Sequence, residues 1–201
     1  MAQVFQLIMK SRAERTRYLQ EDRDAFLRQL CGELDHERKK ATAAGRTLVA
    51  RLNTFSDLPW EHRTYGEIPQ QFTDVIFYDY TKIHSRVGKT PANYHLVASW
   101  SEDDRHQSSA VELLLAGHNV AVPFATQDGG TGWRAYDQEL PQWCTLHGHR
   151  FRVIDGDVSD LRFTDRGASQ YGGGNVIGLR LKSGNYSARN AAVNAGFAVV
   201  R

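Results

Sequence analysis

Ser108-Ser109-Ala110-Val111-Glu112-Leu113-Leu114-Leu115-Ala116-Gly117-His118-Asn119-Val120-Ala121-Val122-Pro123-Phe124 decides the fold class, because a helical segment runs through a glycine into a short, almost wholly apolar strand. The stretches 75–80 and 94–100 before it, and 151–154 and 176–181 after it, have the same character. A strand apolar on successive residues is covered on both faces. Parallel strands also need crossovers of about a dozen residues or more, and the intervals here supply them. The expected class is therefore α/β, a mostly parallel sheet of about six strands, either open or an incomplete (β/α) barrel. The first of those strands is expected at 47–53.

The sheet is preceded by a long helical pattern over 4–44. Phe5, Ile8, Met9, Tyr18, Leu19, Phe26, Leu27, Leu30, Cys31 and Leu34 recur at spacings of three and four, and Gly45 supplies a C-terminal stop. The organisation expected is one domain over 1–201: a helical segment to 46, a strand–helix core over 47–184 and a tail from 185. The interval 124–151 carries Asp128-Gly129-Gly130-Thr131-Gly132, Trp133 and Trp143 and reads as a loop-rich insertion. Tyr171-Gly172-Gly173-Gly174 is a second interruption. Neither glycine run has the Lys-Ser/Thr ending of a nucleotide loop.

With 41% hydrophobic and 24% charged residues, the chain has the composition of a soluble globular protein. No apolar run approaches the roughly 18 residues of a membrane span, and the start lacks a basic leader, so no membrane partner and a cytoplasmic location are expected. Cys31 and Cys144 are expected to be free thiols. Residues 1–46 hold ten Lys and Arg against seven Asp and Glu, so the net charge of +2 has its basic excess there, and the N-terminal helix is a candidate nucleic-acid contact.

Reading each strand to its carboxyl end, where parallel sheets bind ligands, collects a candidate cleft. It comprises Arg51, Asn53 and Asp57, then Asp79, Thr81 and Lys82, then Ser99 and Glu102, and finally Asp155, Asp157 and Asp160 in Val153-Ile154-Asp155-Gly156-Asp157-Val158-Ser159-Asp160-Leu161-Arg162-Phe163. Three carboxylates beside a lysine suit Mg²⁺ or the hydroxyls of a ribose, with Lys82 or Arg51 on a phosphate. The competing reading makes Asp157 and Asp160 turn and helix-cap residues. Cys144, His147 and His149 read as part of a solvent-exposed loop, with a Zn²⁺ site as the weak alternative because a fourth ligand is missing. His95 on an apolar strand reads as a core histidine, and Trp60, Tyr78, Tyr80 and Trp100 read mainly as packing.

Arg51-Leu52-Asn53-Thr54-Phe55-Ser56-Asp57-Leu58-Pro59-Trp60-Glu61, Phe77-Tyr78-Asp79-Tyr80-Thr81-Lys82, Asn93-Tyr94-His95-Leu96, residues 117–122, the aspartate segment and Val176-Ile177-Gly178-Leu179-Arg180 occur in this order. Over 5–184 the chain thereby resembles a family of tailed-bacteriophage proteins that itself looks like a divergent radical-SAM-like half-barrel. The resemblance marks Asn53, Asp57, Asp79, Lys82, Ser99, Asp155 and Asp157 as cleft positions. It also implies a cysteine-rich segment ahead of the first helix, and the expectation here is a scaffold without that segment. Cys31 and Cys144 alone cannot hold a four-iron cluster, so no cofactor is expected. The function expected is that of a phage-encoded, non-catalytic accessory protein, acting in the host cytoplasm. It would bind a host or phage macromolecule, for example as an inhibitor of a defence system. The alternative is a nucleotide- or nucleic-acid-acting enzyme or ligand-binding protein with Mg²⁺ or a nucleotide in the Asp/Lys cleft. Exposed sheet edges add the expectation of a homodimer.

Overall fold

Asp22 divides the N-terminal helical pattern in two. In the computed structural model, which describes residues 2–54, 56–125, 139–165, 173–182 and 186–200, helix α1 (Ala2–Glu21) gives way to α2 (Arg23–Ala43). Asp22 leaves helical geometry, with φ −141° and ψ 72°, and its carboxylate accepts the Ala25 N–H at 3.0 Å. That bond satisfies one orphan donor of the new helix, which a continuous helix would not need. At the far end Gly45 adopts φ 67°, and the N–H groups of Gly45 and Arg46 donate to the carbonyls of Thr42 and Ala41, both at 2.9 Å. This is a Schellman stop of the kind that the glycine signalled. Among the described residues no helix is long and apolar enough to cross a membrane.

The chain forms two compact units, residues 1–50 with 59–76 and residues 51–58 with 77–201. In the first, Phe26 lies between Tyr18 (edge-on, 5.4 Å) and Trp60 (stacked, 6.5 Å), and Leu34, Ile68, Phe72 and Val75 are buried. Strand β1 is only Val49–Ala50, shorter than the 47–53 expected. The residues beyond it bond through side chains: the Asn53 amide oxygen accepts the Ser56 hydroxyl and the Leu58 N–H, which turns the chain out of a ladder. A short helix α3 (Ile68–Gln71) follows in the same unit.

The second unit is the parallel α/β body. Strands β2 (Ile76–Thr81), β3 (Tyr94–Ser99), β4 (Val120–Ala125), β6 (His149–Asp155) and β7 (Val176–Arg180) are mutually parallel, and β5 (Trp143–Leu146) is antiparallel to β6 at the edge. The order β2-β3-β4-β7-β6-β5 makes an open sheet in which β7 lies between β4 and β6. The α/β class and the mostly parallel, open sheet are as the apolar runs predict. Helix α4 (Asp104–Leu115) packs Ala110, Val111 and Leu114 onto one face with Ala98, Val120, Val122, Phe124 and Val176. It starts four residues before the expected 108 because Asp103 accepts the N–H groups of both Arg105 and His106. The other face carries a smaller cluster, Val97, Ala121 and Ile177 with Tyr80, Ile154 and Leu179 against it.

Two further features differ from expectation. The stretch read as an exposed loop around Cys144 is a hairpin, closed by His147 (φ 45°) and Gly148 (φ 81°), and Cys144 sits opposite Phe151. Two successive positive-φ residues match the twist of the flanking strands, a turn for which His-Gly is an uncommon signal. Beyond 185, α5 (Tyr186–Asn194) leads to β8 (Val199–Val200), which pairs with Phe124 and Ala125 of β4. Residues 128–133, Tyr171, Gly172, Phe55 and the side chain of Phe5 lie outside the described residues.

Gly174 shows how closely the crossovers pack. Its N–H donates to the Leu114 carbonyl at 2.6 Å, and a Cβ there would stand 1.8 Å from the His118 carbonyl oxygen. Because backbone at both contacts must give way, Gly174→Ala is expected to lower stability by about 3 kcal/mol or more, read by urea denaturation.

Candidate functional site

The carboxyl ends of the strands gather the predicted polar residues into two tightly paired groups. The first centres on Asp79 of β2, which is fully buried. One carboxylate oxygen accepts the Asn53 N–H at 2.9 Å and lies 3.7 Å from the Arg51 Nε; the other accepts the Tyr94 hydroxyl at 2.9 Å. Burial pushes this carboxyl up to about 6, against the opposing pull of the Asn53 N–H, the Tyr94 hydroxyl and the Arg51 charge. The Asn53 side chain donates to the Leu58 carbonyl while accepting from Ser56 and Leu58, so it ties the whole Arg51–Leu58 connection together. At the end of that connection Asp57 accepts the Thr81 hydroxyl (2.9 Å) and the Lys82 N–H (2.7 Å) on one oxygen and meets Arg86 at 2.6 Å on the other.

The second group joins the ends of β6 and β7. The Arg180 guanidinium grips Asp155 with two bonds of 2.7 Å and reaches an Asp157 oxygen at 3.1 Å. The same Asp157 oxygen accepts the Arg180 N–H at 2.9 Å, and its other oxygen lies 3.6 Å from Lys182 Nζ. Asp155 also accepts the Asp157 N–H at 3.0 Å, a local turn bond. The Arg180 guanidinium holds the Asp155 carboxyl below its usual range despite partial burial. Bidentate geometry of this kind combines charge and direction.

With both groups in view, the sequence comparison is decisive at the family level: residues 1–199 match the family described as Gene product 88. The chain belongs to the Gene product 88 family. The phage family expected from the ordered sequence blocks is met by this membership. No curated protein and no solved structure matches the Gene product 88 chain.

The remaining predicted residues of this family member are placed as follows. Arg51 lies over the Tyr80 ring at 4.9 Å, and Tyr80 also feels Arg162, Asp160 and Asp165. Asp160 itself is exposed and contributes its carbonyl to the Arg162 N–H. Ser99 offers its carbonyl to His84, and Lys82 and Glu102 are exposed. His95 is half-buried against Phe163, and burial lowers its pKa. Cys144 is half-buried with its thiol pushed up to about 12, while His147 approaches Gln107 at 3.5 Å and His149 packs on Phe151. Among the described residues no three His, Cys, Asp or Glu side chains are arranged to hold a metal ion.

Sequence reasoning missed the partners: Arg86, Tyr94, Arg180 and the buried Arg162, whose guanidinium donates to the Gly156 carbonyl at 2.9 Å. Arg180 had a usable signal, a cation closing a strand of apolar residues and glycine. Tyr94 had another, since a buried phenol needs an acceptor. Arg86 had none.

Two outcomes follow from this geometry. Asp79 has a folded pKa raised from 3.8 to about 6, so its stabilising contribution is present below pH 4 and is lost as the pH rises through 6. Asp79→Asn is expected to remove a decline of about 3 kcal/mol over that window, measured by denaturation as a function of pH. Arg180→Met leaves the nearly buried Asp157 without its principal cation and is expected to cost about 3 kcal/mol by the same method at pH 7.

Proposed function

We propose that this phage protein is a non-catalytic accessory protein that binds a host or phage protein through the start of α1. The observation that carries the reading is a bare helical turn: Leu7, Ile8 and Met9 are exposed by 67%, 43% and 47%. Successive helical residues point about 100° apart, so three exposed neighbours leave most of the circumference of that turn without protein cover. Lys10, Arg12, Arg15 and Arg17 follow directly. An apolar socket with an acidic rim on the partner complements this surface, and a host defence component is the partner class that a phage protein would meet.

The non-catalytic part of the reading draws on the strand-edge charges. All the carboxylate oxygens of Asp57, Asp79, Asp155 and Asp157 are engaged by arginine, lysine, hydroxyl or backbone partners. Such partners compete with Mg²⁺ or a mobile proton for the carboxylate lone pairs, and that competition favours the non-catalytic reading. The radical-SAM-like ancestry remains part of this proposal. The parallel succession β2-β3-β4 favours it, and the insertion of β7 between β4 and β6 departs from the sequential order of a barrel.

Affinity capture of the tagged chain from infected cells is expected to recover a stoichiometric protein partner. The double substitution Leu7→Asp with Met9→Asp should abolish capture without changing the circular dichroism spectrum. Turnover of a nucleotide or nucleic acid by the purified chain, lost on Asp155→Asn, would overturn the reading.

A further inference from the structure

His84 and His106 meet at the carboxyl edge of the parallel sheet. His84 opens the single helical turn after β2, is 7% exposed, and its Nε2 lies 3.1 Å from the Ser99 carbonyl oxygen. A carbonyl only accepts, so Nε2 carries the proton and Nδ1 presents a lone pair. That Nδ1 is buried and has no hydrogen-bond partner among the described residues. His106 stands in the first turn of α4, held by the Asp103 cap, with its Nδ1 3.2 Å from the Ser101 hydroxyl. Its Nε2 has no partner among the described residues. The two ring centres are 5.5 Å apart.

We propose that His84 and His106 form a binding site for a Zn²⁺-class divalent cation, linking the turn after β2 to the start of α4. Three features of the geometry support it. Bonds of about 2.0–2.1 Å to one tetrahedral ion put the centres of two imidazoles about 5 Å apart, close to the spacing here. Each ring has its other nitrogen fixed by a backbone carbonyl or a hydroxyl, the outer-shell arrangement that orients ligating histidines. An imidazole lone pair suits a borderline cation, and a cation there gives the buried Nδ1 the partner it has nowhere among the described residues.

Two titratable groups act on His84 through space, His106 first and Asp57 after it; Asp57 is the carboxylate of the pair. Both its oxygens are engaged by Arg86, Thr81 and Lys82, so it is not a third ligand. Two protein ligands leave further coordination positions to water or an incoming donor, which makes the site open and exchangeable. The position, beyond the ends of β2 and β3, is where parallel sheets place ligands. This site is independent of the α1 surface.

Titration of the full chain with Zn²⁺ by calorimetry is expected to give one ion per chain. ¹⁵N resonances of His84 Nδ1 and His106 Nε2 should move on addition of the ion. His106→Ala, at an exposed position, should keep the fold and weaken binding at least tenfold, while His149→Ala on the hairpin should bind as the unsubstituted chain does. Absence of saturable binding up to about 1 mM Zn²⁺ overturns the proposal. So does unchanged binding by His106→Ala, or binding lost in His149→Ala.

Discussion

The parallel pairing of β4 with β7 organises the larger unit. It runs in register from Val120 opposite Val176 to Phe124 opposite Arg180, with β3 and β8 paired to β4 on one strand and β6 paired to β7 on the other. On its amino side the pairing is sealed by Gly174, whose missing side chain lets the chain pass against Leu114 and His118. On its carboxyl side it delivers Arg180 to the edge where β6 ends in Asp155. A parallel pair cannot be closed by a short turn, so the long excursion between its two strands builds the β5–β6 hairpin before β7 returns to the centre.

The polar edge follows from that placement. A strand flanked on both sides and covered on both faces leaves its terminal polar residues to emerge in low dielectric, where each carboxylate must find donors. Asp79 finds Asn53, Tyr94 and Arg51; Asp57 finds Arg86 and Thr81; Asp155 and Asp157 share Arg180. The edge is thus a set of closed ion pairs and bonds. Among the histidines, His84 has an Nδ1 buried without a hydrogen-bond partner among the described residues, a lack that Arg162 Nε and Asp165 Oδ2 share. Unfulfilled valence at the end of a parallel sheet is a more specific pointer to a ligand than a count of acidic residues.

How far the sequence could be read depended on whether the signal was local. The breaks at Gly45 and before β4 were legible because a glycine and an apolar run act on their own neighbours. Asp22 and Asp103 as caps were legible in principle, but the continuous three-and-four periodicity of the helix around Asp22 masked the first. The hairpin at His147 and Gly148 was read as loop because its turn lacks the usual Asn-Gly or Asp-Gly signal. The aspartates of 153–163 were rightly placed at a strand end. Their partners were not, since Arg180 lies 25 residues beyond Asp155 and only strand pairing brings the two together.

Sequence alone determined the class and the central parallel strands, because backbone propensity and the period of apolar residues are short-range quantities. It also determined membership of the Gene product 88 family, which is carried by order along the chain. Tertiary structure decided which charges meet. A carboxylate reads the same on paper whether it will face solvent, a metal or a guanidinium; its chemistry is set by groups within a few ångströms that folding recruits from distant positions. The aspartate-rich strand end is therefore a paired edge beside Arg180, and the buried, unbonded Nδ1 of His84 came into view only when folding set His84 beside His106.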